Sequence, residues 1–295
     1  MSGVSYGWAR LDPQIAIETI REAYELGIRF FDTADFYGLG LAEELLAKAL
    51  PRDDEIVLAS KGGMLVSQTQ EPRVMKSFES SYLEAAVHRS LKRLRRDHIE
   101  VYQLHGPPKE MVSNHPMWQT MEKLVKEGKI GAFGVAVSGS LATSTLGDWA
   151  AIDGLGWLQI PYSLAVPDVV SLVEESEFLN DRKIGLIGRS VFHHGILVNR
   201  DLSKDRYGSR DYRSTVATVP MVEQVGAFWV SIGISVDRVR TCLDFALSSP
   251  KLDTVLVGAS SPAQIRQIVA GARVAETMTF EERNILLNEA RRLMA

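Results

Sequence analysis

Four side chains that can move a proton or hold a charge stand where apolar runs give way to turns. The stretch "FFDTADFYG" (30–38) ends its apolar run in Asp32 and sets Tyr37 five positions on. "VLASKGG" (57–63) runs out in Lys61, and "VYQLHGPP" (101–108) in His105. An acid, a phenol, an amine and an imidazole together suit proton transfer coupled to change at a carbonyl. A phenol alone is too weak an acid near neutrality, but a neighbouring ammonium favours its ionised form. Lys61 is the candidate for that place beside Tyr37, with Asp32 keeping Lys61 charged and His105 orienting the carbonyl oxygen. A single acid or histidine at a strand end is ordinarily a cap or a satisfied hydrogen-bonding group. Four such residues on three successive runs argue for a site.

The elements that must position them follow one pattern. "LDPQIAIETIREAYELG" (11–27) has an Asp12-Pro13 start, apolar Ile17, Ile20, Ala23 and Tyr24 at helical spacing, and a stop at Gly27. "IRFFDTA" then reads as a strand buried on both faces. Similar runs recur at 55–61, 99–106, 130–137, 157–163, 184–191 and 253–259, with helical patterns between them, including 81–96, 166–180 and 236–248. The last helix opens on a capping box, Thr279 with Glu282. Strand and helix in strict turn predict parallel strands with right-handed crossovers. With "GVSYG" (3–7) as a short first strand the count is about eight, which predicts a (β/α)8 TIM barrel, with a doubly wound open sheet as the other α/β solution. No linker or low-complexity tract interrupts the chain, so residues 1–295 read as a single domain. Three connections, 62–80, 106–117 and 191–234, are long enough to shape a pocket at the ends of the strands where such barrels carry their sites.

Composition excludes several classes. A net charge of -4 gives no field for nucleic acid or an anionic membrane, and the basic run Lys92 to Arg96 reads as a solvated helix face. One cysteine, Cys242, allows no internal disulfide. With no leader-like segment and no apolar span of membrane length, the expectation is a cytoplasmic, soluble protein. The six histidines form neither H-E-x-x-H nor a Cys/His cluster, so no catalytic metal is expected, and no G-x-S-x-G elbow points to acyl transfer. Trp8, Phe36 and Trp229 are candidates for the pocket wall, with a core role as the alternative.

With these residues in place, the chain resembles the aldo-keto reductases. "FFDTADFYG", "SKGG" and "LHGP" follow that family's order and spacing, and the likeness runs on through "EGKIGAFGV" (127–135), "QIPYS" (159–163), "GIL" (195–197) and "TVLVGASSPAQI" (254–265). The resemblance implies a barrel that binds a nicotinamide cofactor without a Rossmann domain, and no G-x-G-x-x-G opens a helix after a strand. It implies hydride transfer to an aldehyde, ketone or sugar carbonyl, with Tyr37 as general acid and Asp32, Lys61 and His105 in support. Similarity to branches containing sugar dehydrogenases and pyridoxal reductases makes lactol oxidation an alternative direction. A cofactor-binding regulatory protein with slow turnover is the rival class.

The cofactor positions that the resemblance implies are Ser138, Gln159, Arg189, Ser190, Gly195, Gly258, Ser260 and Gln264. Gln159 stands where the family holds the nicotinamide carboxamide, while Ala136 and Val137 replace a common Ser-Asn pair, leaving Ser138 to compensate. Arg189 stands where many relatives place an aromatic ring, and a guanidinium plane stacks in the same way. No Lys or Arg occupies Gly258, Ser260 or Gln264 to hold a 2′-phosphate, although the helix opening near Ser261 and the cation of Arg266 are available to an anion. The resemblance favours NADP(H) and leaves NAD(H) open. It also implies a hairpin before the first strand, for which "MSGVSYG" leaves no room.

Overall fold

The computed structural model describes residues 12–52, 54–66, 74–112, 115–137, 142–179, 184–199, 217–233 and 236–294. The expected first strand at 3–7, Trp8 and Ser138 lie outside the described residues. Helix α1 (Pro13–Glu25) begins where Asp12 accepts a hydrogen bond from the Gln14 backbone N–H at 2.7 Å, with proline in the first turn. Strand β1 (Phe30–Asp32) follows, then α2 (Leu41–Ala49) and β2 (Val57–Gly62). A small hairpin, β3 (Met64–Val66) with β4 (Val74–Lys76), precedes α3 (Ser80–Leu94) and β5 (Ile99–His105). Helix α4 (Met117–Lys126), β6 (Ile130–Ala136), α5 (Ala142–Ala150), β7 (Trp157–Pro161) and α6 (Pro167–Glu175) continue the alternation. Beyond β8 (Gly185–Arg189) come α7 (Val219–Ile232), α8 (Arg238–Leu247), β9 (Thr254–Val255), α9 (Pro262–Arg273) and α10 (Phe280–Met294).

Seven strands form one sheet in the order β1-β2-β5-β6-β7-β8-β9, all parallel, and among the described residues β1 and β9 are its edges. The sheet curls, because β1 and β7 are four places apart yet Phe30 and Trp157 bring their rings to 6.5 Å and Asp32 bonds Gln159. The helices flanking the two edges also meet: Arg266 on α9 pairs with Glu22 on α1 at 3.0 Å, and Arg273 donates to the Leu26 carbonyl at 2.8 Å.

Register decides which residues face inward. Lys61 lies opposite Gln103, Gln103 opposite Gly134, His105 opposite Ala136, and Ala136 opposite Gln159. Parallel neighbours in register point to the same face and alternate residues share it. Asp32, Lys61, Gln103, His105 and Gln159 therefore share the concave face. The other face, with Leu58, Leu104, Val135, Leu158 and Leu186, packs in one apolar core with Leu83, Val87, Leu91, Met117 and Met121 of the helices. Each such side chain contributes about 1.5–3 kcal/mol by leaving water.

Three expectations needed correction. The helix foreseen over 166–180 stops at Glu175, because the Ser176 hydroxyl turns back to the Leu172 carbonyl and the backbone leaves helical angles; a 3-10 turn, Glu177–Leu179, follows. The long connection 62–80 holds the β3–β4 hairpin, and 191–234 holds α7, whose start is capped by Thr218. The capping box of α10 forms as foreseen: Glu282 accepts from the Thr279 N–H at 2.8 Å and Thr279 Oγ1 accepts in return from the Glu282 N–H at 3.2 Å.

Candidate active site

The turn after β1 sets the geometry. The Thr33 N–H donates to the Ala59 carbonyl at 2.8 Å and the Asp35 N–H to the Lys61 carbonyl at 3.0 Å, so the chain runs along β2 beyond the formal end of β1. It then tightens into a 3-10 turn, Tyr37–Gly40, in which Gly38, Leu39 and Gly40 all have positive φ. Gly40 is favoured by its φ of 98°, and a Cβ there would push against the guanidinium end of Arg93, 2.3 Å from its Cζ. The turn leaves the Tyr37 side chain exposed above the buried ends of β1 and β2.

Lys61 is wholly buried and its ammonium donates to Asp32 Oδ2 and, at 2.8 Å, to the Thr33 carbonyl. Asp32 Oδ1 accepts from Gln159 Nε2 at 2.8 Å and from Gln103 Nε2 at 3.2 Å. The Lys61 ammonium lies 5.3 Å from the centroid of the Tyr37 ring, and the His105 ring meets Tyr37 edge-on at 5.8 Å. Sequence spacing thus led to four residues that do converge. Burial, reinforced by the positive charges of Lys61, Arg189 and Lys76, pushes the His105 imidazole down to about 3. It is neutral near neutral pH, able to donate from one ring nitrogen and accept at the other. Its Nδ1 is buried with no hydrogen-bond partner among the described residues. Lys76, on the hairpin, donates to the Gly106 carbonyl at 2.5 Å and so ties β4 to the turn after His105.

Behind Lys61 lies a buried polar layer that sequence reading missed. Glu43 is fully buried; it accepts from Ser60 Oγ at 2.7 Å and pairs with Arg93 at 3.2 Å. The Arg93 partnership gives one member of the basic run a structural role. Asp35 is only 8% exposed, and burial, with the charge of Glu43 added, pushes its carboxyl up to about 7 against the pull of Arg89 and Arg93. Gln103 was missed as well. The available signal was an amide two positions before His105 in an otherwise apolar run, hence on the same face.

The expected cofactor residues are a mixed set. Gln159 is buried, and its amide nitrogen is engaged by Asp32, so its Oε1 is the atom left for an outside donor. Arg189 donates to the Val137 carbonyl at 2.7 Å and reaches Ser190 Oγ at 3.4 Å. Ser190, His193, His194 and Gly195 all take positive φ, strain of the kind that accumulates at binding turns. Burial pushes His193 down to about 4, with the charge of His194 adding to it. Beside the exposed Gly258, Ser260 donates through its N–H and hydroxyl to Gln264 Oε1 at 2.8 and 2.9 Å, which closes that side chain onto its own turn. Ser261 caps α9 by accepting from the Gln264 N–H. Arg266 does not stand free beside this helix start, since Glu22 takes it on the α1 side. Trp229 is buried in the core, whereas Phe36 is half-buried in the turn that carries Tyr37. No group of three or more His, Cys, Asp or Glu is arranged to hold a metal among the described residues, and no helix there is long and apolar enough to cross a membrane.

Comparison with known proteins bears on this geometry. A family model described as the aldo/keto reductase family matches residues 2–282. The aldo-keto reductase YhdN of Bacillus subtilis is 27% identical over 278 residues, covering 88% of this chain and 80% of the relative. L-galactose dehydrogenase of Arabidopsis thaliana is 27% identical over 290 residues, covering 93% and 83%. Among solved structures, the holo form of aldo-keto reductase AKR11C1 from Bacillus halodurans superposes with a TM-score of 0.76 at 25% identity, covering 99% of this chain and 93% of the other.

Proposed function

The chain belongs to the aldo/keto reductase family, and from that premise we propose that it is an NAD(P)-dependent oxidoreductase that reduces an aldehyde, ketone or sugar carbonyl, with Tyr37 as the proton donor. The observation that carries the reading is the meeting of the Lys61–Asp32 pair with Tyr37 and a neutral His105 on one end of the sheet. The fold is read as a (β/α)8 barrel in one domain; the α1–α9 ion pair, which bridges the two edges among the described residues, supports closure.

The residues fit a nicotinamide group. Gln159 Oε1, turned away from Asp32 because a carboxylate accepts and does not donate, suits the NH2 of a carboxamide. The Arg189 guanidinium suits a flat ring, and the capped start of α9 suits a phosphate. When bound, the nicotinamide supplies the hydride. The chain supplies the rest: a neutral His105 donates to the carbonyl oxygen, Tyr37 delivers the proton to that oxygen as negative charge grows there, and Lys61 stabilises the phenolate left behind. Asp32 keeps Lys61 charged within a fully buried setting. Run backwards, the same groups oxidise a lactol with Tyr37 as base, and the relative named for L-galactose dehydrogenation makes a sugar a sensible first substrate class.

NADP(H) is the first choice on the family likeness alone, and the preference over NAD(H) is modest because no cation stands at Gly258, Ser260 or Gln264 to hold a 2′-phosphate. A calorimetric titration with NADPH and then NADH tests the reading. Tight binding of either supports it; binding of neither contradicts it.

A further inference from the structure

We propose that Gln103 is a positioning residue for the reaction, the fixed anchor of Asp32. This rests on the carbonyl-reduction reading above. Asp32 is gripped on both oxygens: Lys61 holds Oδ2, while Oδ1 receives amides from two strands further round the curl, Gln103 on β5 at 3.2 Å and Gln159 on β7 at 2.8 Å. Lys61 alone would leave the carboxylate free to swing about its terminal torsion. The two amides fix that plane, and with it the direction in which Lys61 presents its charge to the Tyr37 ring.

The two amides are not equivalent. Gln159 stands where a cofactor carboxamide would take its Oε1 while its Nε2 holds Asp32, so that side chain serves two partners. Gln103 is fully buried, and Asp32 is the partner of its donor. Its other end states the case more strongly: Oε1 is buried with no hydrogen-bond partner among the described residues. An orphaned carbonyl of this kind destabilises a fold. An apolar side chain of the same size would fill the position without it. A residue that weakens the fold at one end and orders the site at the other has the signature of one retained for function.

The test follows from that opposition. Gln103→Met keeps the volume, removes the donor and also removes the orphaned oxygen; Gln103→Glu keeps the shape and turns an acceptor toward Asp32. With wild type established as active, Gln103→Met is expected to lower kcat about tenfold or more. KM for the carbonyl and the calorimetric Kd for NADPH should stay within about twofold, and the midpoint of thermal unfolding should hold or rise. Gln103→Glu should be slower still, because it sets two carboxylates side by side. A Gln103→Met enzyme within about twofold of the wild-type kcat overturns the proposal, as does a midpoint that falls together with the rate, which is the behaviour of a merely structural residue. Gln103→Glu as fast as wild type overturns it too. A wild-type protein that binds no nicotinamide and reduces no carbonyl overturns both this proposal and the reading beneath it, so the two failures are told apart.

Discussion

Replacing Asp35 with asparagine should make the protein more stable, and more so as pH rises. Asp35 lies in the turn between Asp32 and Tyr37, where it is buried beside Glu43, and one of its carboxyl oxygens has no hydrogen-bond partner among the described residues. Its carboxyl is pushed up from 3.8 to about 7. The folded protein therefore holds this proton more tightly than the unfolded chain. Between about pH 4 and 7 the folded state is penalised progressively as pH rises, and above 7 the penalty is complete. A displacement of about three units corresponds to about 4 kcal/mol in full, of which about 2 kcal/mol is already present at pH 5.5. Two half-buried histidines work in the opposite direction. His105 and His193, pushed down to about 3 and about 4, favour the folded state as pH rises toward 6.5. The wild-type curve alone thus mixes opposing slopes, and the variant difference isolates Asp35. Urea unfolding of wild type and Asp35→Asn at about pH 5.5 and 8.5 should show the gain from asparagine growing by about 2 kcal/mol between the two. A difference that is the same at both pH values would refute the reasoning.

Ser260→Arg should tighten NADPH relative to NADH by about tenfold, because it adds a guanidinium beside the capped start of α9. An unchanged ratio of the two dissociation constants would show that this turn does not meet the 2′-phosphate. Arg283→Met should lower unfolding stability by about 3 kcal/mol, measured in urea, while leaving NADPH affinity unchanged. Arg283 is buried on α10 and bonds both Glu174 at 3.0 Å and the Tyr162 hydroxyl at 2.5 Å, so its loss leaves the part-buried Glu174 carboxylate without its counter-charge, held by the hydroxyls of Tyr162 and Ser249. A loss under about 1 kcal/mol would mean the network relaxes around the gap.

The four candidate residues were legible because Asp32, Lys61 and His105 each end a strand whose apolar run is local, Tyr37 follows five positions after the first, and parallel strands put their C-terminal ends at one mouth. Helix α1 was legible from Asp12, Pro13 and Gly27, residues whose backbone chemistry acts within a few positions. The amide contacts on Asp32 were not. Gln159 lies 127 residues from Asp32, and their bond depends on the curl of the whole sheet, which no local pattern carries. No local pattern marks Glu43 on α2 or Asp35 in the turn after β1 as buried acids, yet Arg93 of α3 pairs with the first and the second is a buried carboxyl. The break at Ser176 was invisible for a related reason: serine continues or ends a helix according to which carbonyl its hydroxyl finds.

The central claim, that Tyr37 delivers the proton while the rest of the site holds the cofactor and the charge, is tested most directly by single-turnover oxidation of bound reduced nicotinamide on mixing with an aldehyde, in wild type and in Tyr37→Phe. The account predicts that Tyr37→Phe binds the cofactor as tightly as wild type and transfers hydride about 100-fold to 10000-fold more slowly. Transfer near the wild-type rate from Tyr37→Phe would contradict it.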